Sequence, residues 1–237
     1  MKIAISGYGK MGKEIEEFLS SRGHEITLRS TSQTPYKAAD LAGTEVVIEF
    51  SNPENAVDNI FKCFEANVPV VVGTTGWYTR MPEVRQACLS QNQALFYATN
   101  FSIGVNVVFH LNKKLAQIMN SYEEYEPGIL EVHHLAKLDK PSGTAITLAE
   151  GILENIPRKT KWVNNPAEQK EELTIISQRE GDVPGTHVIN YTSQVDNISL
   201  VHQAVNRKGF ALGAVKAAEW LKGKTGIYTM TDMLKFD

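Results

Sequence analysis

A short apolar run, Lys2 to Ser6, passes without a break into Gly7-Tyr8-Gly9-Lys10-Met11-Gly12. Beyond it Ile15, Phe18 and Leu19 recur at helical spacing, with Lys13, Glu14, Glu16 and Glu17 between them. This predicts a buried strand, a tight turn and an amphipathic helix that ends at Gly23, with a second strand from Glu25 to Arg29. The turn is G-x-G-x-x-G in the strand–turn–helix setting that a dinucleotide site requires. Its first glycine permits the tight turn, its second lets backbone approach a pyrophosphate, and its third lets helix pack on strand. The fingerprint expects an acid at the tip of the second strand to hold a ribose 2′-hydroxyl. Arg29-Ser30-Thr31-Ser32 stands there instead, and an arginine beside hydroxyls suits a 2′-phosphate, so NADPH is expected to serve at least as well as NADH.

The alternation continues. Glu45 to Phe50 reads as a third strand, Pro53 to Ala66 as a helix capped by Ser51 or Asn52, and Val68 to Val72 as a fourth strand ending in Gly73-Thr74-Thr75-Gly76. A helix from Pro82 to Gln91 leads to strand Ala94 to Ala98. Such units imply a doubly wound parallel sheet of the α/β class, with ligands beyond the carboxyl ends of its strands. At Thr99-Asn100-Phe101-Ser102 the character changes. A long helix from Ile103 to about Tyr122 is expected to bury Val107, Leu111, Leu115 and Ile118. After a turn at Pro127-Gly128 come a strand ending in His133-His134, an exposed loop over Asn155 to Gln169, and strands at Leu173–Ser177, His187–Ser193 and Ile198–His202. This middle portion reads as α+β with a mixed or antiparallel sheet, and Phe210 to Leu221 closes the chain with an amphipathic helix.

Within the middle portion, Glu131 to Thr144 (EVHHLAKLDKPSGT) concentrates the chemistry. Two histidines end a strand, Lys137 follows within a turn's length, and Pro141-Ser142-Gly143-Thr144 opens a helix. A helix start offers unpaired N–H groups and partial positive charge to an anion. Ser142 or Thr144 could cap it or bind the same anion. Neighbours on a strand point to opposite faces, so at most one of the two histidines is expected to face any given pocket. These parts suit a small carboxylate-bearing substrate that must receive a proton. A metal is not expected: the histidines lack i,i+4 helical spacing and no third ligand is evident.

Composition narrows the partners. The 237 residues carry a net charge of −3 and no basic run, which argues against nucleic acid. No apolar run approaches the roughly 20 residues needed to span a bilayer. The N-terminus reaches glycine too soon for a signal peptide, and the lone cysteines Cys63 and Cys88 fit a reducing cytoplasm.

Taken together the motifs resemble one family, the 4-hydroxy-tetrahydrodipicolinate (dihydrodipicolinate) reductases of bacterial diaminopimelate and lysine synthesis. The residues that carry the likeness are the N-terminal glycine loop, Gly73-Thr-Thr-Gly76, Asn100-Phe-Ser-Ile-Gly-Val-Asn106, Glu131-Val-His-His134 with Lys137, and Asp139-Lys-Pro-Ser-Gly-Thr144. Arg179-Glu-Gly-Asp-Val183 and Arg207 with Phe210-Ala-Leu-Gly213 complete the set. The glycine loop is one residue shorter than in many members, and Leu135-Ala136 replaces a polar pair. The resemblance implies a Rossmann domain from residues 1–100 plus 208–237 and a substrate-binding, tetramer-forming domain from 101–207, with hinges near Asn100-Phe101 and Arg207-Lys208 that close the two together. It implies NAD(P)H-dependent reduction, with His133 as proton donor and Lys137 as second catalytic residue. His134, Gly143 and Thr144 would bind the substrate carboxylates. Gly7, Tyr8, Gly9, Lys10, Met11 and Gly12, then Gly73, Thr74 and Thr75, then Ala98, Thr99, Asn100 and Phe101, would hold the cofactor. Two alternatives stay open: an aspartate- or homoserine-type dehydrogenase of similar plan, and a nucleotide-sensing protein without catalysis.

Overall fold

The computed structural model describes residues 1–206 and 208–236. Arg207, part of the resemblance and of an expected hinge, lies outside the described residues. In chain order the elements are β1 (Lys2–Ser6), α1 (Lys10–Ser21), β2 (Glu25–Ser30), β3 (Val46–Glu49), α2 (Pro53–Glu65), β4 (Val70–Val72), α3 (Met81–Ser90), β5 (Ala94–Tyr97) and α4 (Ile103–Met119). There follow β6 (Glu126–His133), α5 (Gly143–Leu153), β7 (Lys161–Val163), β8 (Glu172–Arg179), β9 (Thr186–Thr192), β10 (Asn197–Gln203), α6 (Lys208–Leu221), β11 (Gly226–Tyr228) and α7 (Met230–Leu234). They form two compact units, Met1–Ile103 with Lys208–Asp237, and Gly104–Arg207.

In the first unit six strands pair in parallel in the order β11-β5-β4-β3-β1-β2. Strand residues alternate between two buried faces. Ile3, Ile5, Val46, Ile48, Val71 and Phe96 pack with Ile15 and Leu19 of α1 and with Ala214, Val215 and Leu221 of α6. Ala4, Val47, Val70, Val72 and Leu95 pack with Val57, Ile60 and Phe64 of α2 and Val84 of α3. Burial on both faces is why these strands read as unbroken apolar runs. Asn52 is the cap of α2, its side chain accepting from Asn55 N–H at 3.0 Å, with Pro53 in the first helical position.

The second unit has a mixed sheet, β10-β9-β6-β8-β7, in which β6 runs antiparallel to β9 and parallel to β8. One face is covered: Ile129, Leu173, Ile175, Ile189 and Tyr191 pack with Val108 and Ala116 of α4 and Leu148 and Ile152 of α5.

Three expectations for this unit are corrected. Pro127 and Gly128 lie inside β6 rather than in a turn before it. Proline is tolerated because pairing with β8 begins only at Gly128, so Pro127 stands at the strand's margin. The polar stretch after α5 contains β7, an edge strand of three residues, too short to show an alternation. Helix α4 buries Val105, Val108, Asn112, Ala116 and Met119, whereas Leu111 is 46% and Ile118 60% exposed. The buried stripe lies one position on from the expected Val107, Leu111, Leu115 and Ile118. Asn112 sits on the buried face because its amide donates to the Leu148 carbonyl at 2.9 Å, which satisfies a polar side chain that a pattern count assigns to solvent.

Candidate active site

In the first unit, β1 and β3 flank the point where the chain switches from one side of the sheet to the other, and a crevice is expected there. Gly7 has φ +98°, and a Cβ built on it would lie 2.2 Å from the Phe50 carbonyl oxygen. A Cβ on Gly12 would lie 2.6 Å from the Gly7 oxygen. The turn therefore excludes side chains at both places, by conformation and by contact at the first and by contact at the second. Gly9 heads α1 without a side-chain cap, and a Cβ there meets nothing within 4 Å. The amides of Lys10, Met11 and Gly12 occupy the first turn, where no helical acceptor exists. No acid lies in that turn. Bare amides, open space and the helix dipole fit a pyrophosphate.

Beside this turn a cavity of about 510 Å³ is lined by Gly7, Tyr8, Gly9, Ser30 to Ser32, Tyr36, Phe50 to Asn52, Asn59 and Lys62. Arg29 is not among its lining residues. Its guanidinium is turned to Glu16, Nη2 to Oε1 at 2.5 Å, and stacks over the Tyr8 ring at 5.9 Å, while the Tyr8 hydroxyl donates to Glu16. Lys62, carried on α2 outside every motif, is the cation among the described lining residues. Gly73, Thr74 and Thr75 follow β4, and Ala98 to Phe101 follow β5, its neighbour. Not all of their side chains are available. Thr74 is buried, and Phe101 packs against Phe50 and Phe96 at centroid distances of 5.6 and 5.8 Å. The Phe101 ring belongs to the core, and any ligand contact by this residue is left to its backbone.

In the second unit, residues i and i+2 of β6 share a face, so Glu131 and His133 point together to the helix-covered side. Glu131 is 0% and His133 7% exposed. His133 Nδ1 lies 2.9 Å from Glu131 Oε2, at ion-pair distance but without hydrogen-bond alignment for either atom. The other carboxylate oxygen takes Arg179 Nη2 at 3.1 Å and the Ser142 N–H at 3.2 Å. Burial opposes ionisation of Glu131, but the neighbouring His133, Ser142 and Ser177 outweigh it and hold the carboxyl well below its usual range. Across from His133 stands His187, rings at 5.1 Å and 72°. Its pKa is lowered to about 4, by burial first and then by the neighbouring His133, so it is neutral near pH 7.

Ser142 is the cap of α5, accepting from Ala145 N–H at 3.2 Å, and its hydroxyl lies 3.3 Å from His187 Nε2. It is buried, and its oxygen is engaged in capping the helix. Gly143 is exposed, and Thr144, next along the first turn of α5, is half-buried. Lys137 pairs with Asp139 at 2.8 Å on the loop between β6 and α5. His134, half-buried, begins that loop, and its carbonyl accepts from Lys137 N–H at 3.1 Å.

The structure thus gathers His133, His134, Lys137 and the start of α5 in one region of the second unit, and it adds Glu131, Arg179, His187 and Gly185. A Cβ on Gly185 would come within 3.0 Å of His133 Nε2, so glycine leaves that edge of the ring uncrowded. Only Glu131 carried a local signal, its two-residue spacing from His133. The others come from β8, β9 and the β8–β9 connection and share no spacing with it. Ligand-type atoms of Glu131, His133 and His187 lie within 4.8 Å of one another, so the third group that a metal would require is supplied by the fold after all. Arg179 already provides a cation to Glu131, which makes the cluster a place to hold a proton.

Comparison with known proteins agrees in both units. A family model described as dihydrodipicolinate reductase, N-terminus, matches residues 1–101, and its C-terminal counterpart matches residues 104–234. A 4-hydroxy-tetrahydrodipicolinate reductase of Christiangramia forsetii is 47% identical over 234 residues, covering 99% of this chain and 98% of that one. One from Neisseria gonorrhoeae is 34% identical over 264 residues, covering 99% and 97%. A dipicolinate-bound dihydrodipicolinate reductase from Paenisporosarcina sp. TG-14 shares the fold, with TM-score 0.77, 21% identity and 98% of each chain covered.

Proposed function

Because this chain belongs to the dihydrodipicolinate reductase family, we propose that it reduces 4-hydroxy-tetrahydrodipicolinate to tetrahydrodipicolinate, with loss of water, in the diaminopimelate route to lysine. The observation that carries the proposal is a buried histidine at the end of β6, beside an ionised carboxylate, with the loop that follows leading to an exposed helix start at Gly143.

When bound, NAD(P)H supplies the hydride. Residues Gly7 to Gly12 hold its pyrophosphate on the start of α1, with the loops after β4 and β5 alongside. NADPH is the favoured form. Ser30, Thr31, Ser32 and Lys62 line the cavity next to the glycine turn, and Arg29 joins them only on release from Glu16. In the second unit the first-turn amides of α5 at Gly143 and Thr144, with His134, take the substrate carboxylates. Lys137 exchanges Asp139 for a substrate carboxylate and faces the negative charge that develops on reduction. His133, as imidazolium, gives its proton to the carbon beside the one reduced and is left neutral. A positioned acid of this kind contributes about 10²–10⁴-fold.

Purified protein supplied with the coupled product of the preceding synthase step should consume NADPH, and NADH less efficiently by kcat/KM. No consumption of either cofactor sinks the reaction; a strong NADH preference sinks the cofactor assignment alone. Oxidation of aspartate or homoserine is expected to be absent. We also place the protein in the cytoplasm as a homotetramer. Buried free thiols at Cys63 and Cys88 support the first, and exposed Ile198 and Val201 on the edge strand β10 of the second unit's sheet support the second. Sedimentation at a single-chain mass would remove the tetramer. Among the described residues no helix is long and apolar enough to cross a membrane.

A further inference from the structure

We infer that Glu131 is the positioning residue of His133: its carboxylate takes the Nδ1 side of the imidazole and so turns Nε2, the edge beneath Gly185, into the one that delivers the proton. The inference deepens the proposed function and rests on His133 being the proton donor.

Four observations carry it. Glu131 and His133 share a strand face, and Nδ1 meets Oε2 at 2.9 Å, while a Cβ built on Gly185 would lie 3.0 Å from Nε2, so only a glycine there leaves that nitrogen uncrowded. The carboxylate is fully buried, and a buried carboxylate without a task is costly. It is held from three elements at once, by His133 of β6, by Arg179 of β8 and by the Ser142 amide at the head of α5. That arrangement fixes its position and keeps it ionised. Finally, the Nδ1–Oε2 contact is close yet not aligned. Catalytic hydrogen bonds are often loose before substrate arrives and tighten in the complex. An anion on Nδ1 favours the imidazolium and fixes which nitrogen gives up its proton.

The other groups around the ring do not duplicate this. His187 of β9 is neutral, and His202 of β10 lies behind it at 6.5 Å between ring centroids. Lys137 and Asp139, on the loop after β6, are paired with each other, and Arg179 faces Glu131. Glu131 is therefore the anion that meets the imidazole among the described residues.

The experiment compares wild type with Glu131→Gln, Glu131→Asp, His133→Gln and the double variant Glu131→Gln/His133→Gln. Because glutamine leaves Arg179 facing a neutral amide, Glu131→Gln/Arg179→Gln is run alongside, and melting curves and NADPH binding are measured for all. Outer carboxylate partners of a functional histidine typically contribute about 10–100-fold. Glu131→Gln should lower kcat by about that factor with KM changed less than about threefold, and Glu131→Asp should restore part of the loss. The double variant with His133→Gln should be no slower than His133→Gln alone. No rescue by Glu131→Asp, or losses that multiply in the double variant, overturns the positioning role. If His133→Gln itself retains full turnover, the proposed proton donor fails instead, and the two failures are told apart.

Discussion

His133 and Lys137 differ in what surrounds them, and the difference sets what each variant should do. His133 is buried against an anion and a neutral histidine, within a folded core face. Its replacement by glutamine removes the proposed proton donor from the second unit and leaves the cavity of the first unit as it is. His133→Gln should therefore lower kcat at least about tenfold, on the low side of what a general acid contributes, with NADPH binding nearly intact by titration. Full turnover in that variant would refute the assignment. Lys137 is partly exposed and tied to Asp139 on a loop. Lys137→Ala removes the cation proposed to act on bound substrate and on developing charge, so kcat should fall and KM rise together. A change in KM alone would reduce it to a binding residue. The clustering of two histidines, a lysine and a helix start was legible in the sequence from residue types in a short window. Glu131 stands in the same window, and only the strand shows that it shares a face with His133.

At the scale of elements, glycines mark where backbone meets backbone. A Cβ on Gly213 of α6 would lie 1.8 Å from the Phe101 carbonyl oxygen. Phe101 is itself wedged between Phe50 and Phe96, so it has little room to retreat. In an open helix Gly→Ala stabilises by about 1 kcal/mol. Here overpacking reverses the sign, and Gly213→Ala should destabilise the first unit by about 1–3 kcal/mol or more. Denaturant melting decides it, and a stabilised variant would show that α6 can move. The same scale explains what the sequence missed in α4. Helical periodicity gives the width of an apolar stripe, but its phase was set by Asn112 finding the Leu148 carbonyl.

At the scale of the whole molecule, His187 ties stability to pH. Buried and neutral in the fold, it has a pKa of about 4 against 6.5 for the free side chain. The unfolded chain therefore binds more protons between these values, and stability falls as pH drops from about 6.5 to 4, by about 3 kcal/mol in all for this one group. Glu131 adds to the trend below its ordinary range, because its folded pKa is depressed and the ionised form is the one the fold stabilises. Melting temperatures measured across that window should decline, and His187→Gln should flatten the decline between pH 6.5 and 5, where Glu131 does not yet contribute. An unaltered slope in the variant would assign the effect to other groups.

The sequence alone settled whatever depends on local order. It determined the alternation of strands and helices, the anion-binding turn after the first strand, and the histidines, lysine and helix start packed into fourteen residues, because neighbours along the chain are neighbours in space. Tertiary structure decided what depends on distant segments meeting. It turned Arg29 to Glu16 and left Lys62 at the cavity, spent Ser142 on a cap and Phe101 on the core, and brought Arg179 and His187 to Glu131 and His133. The physical reason is that a charge inside a fold must find a partner, and which partner it finds is fixed by sheet register and helix packing, neither of which any short stretch of sequence contains.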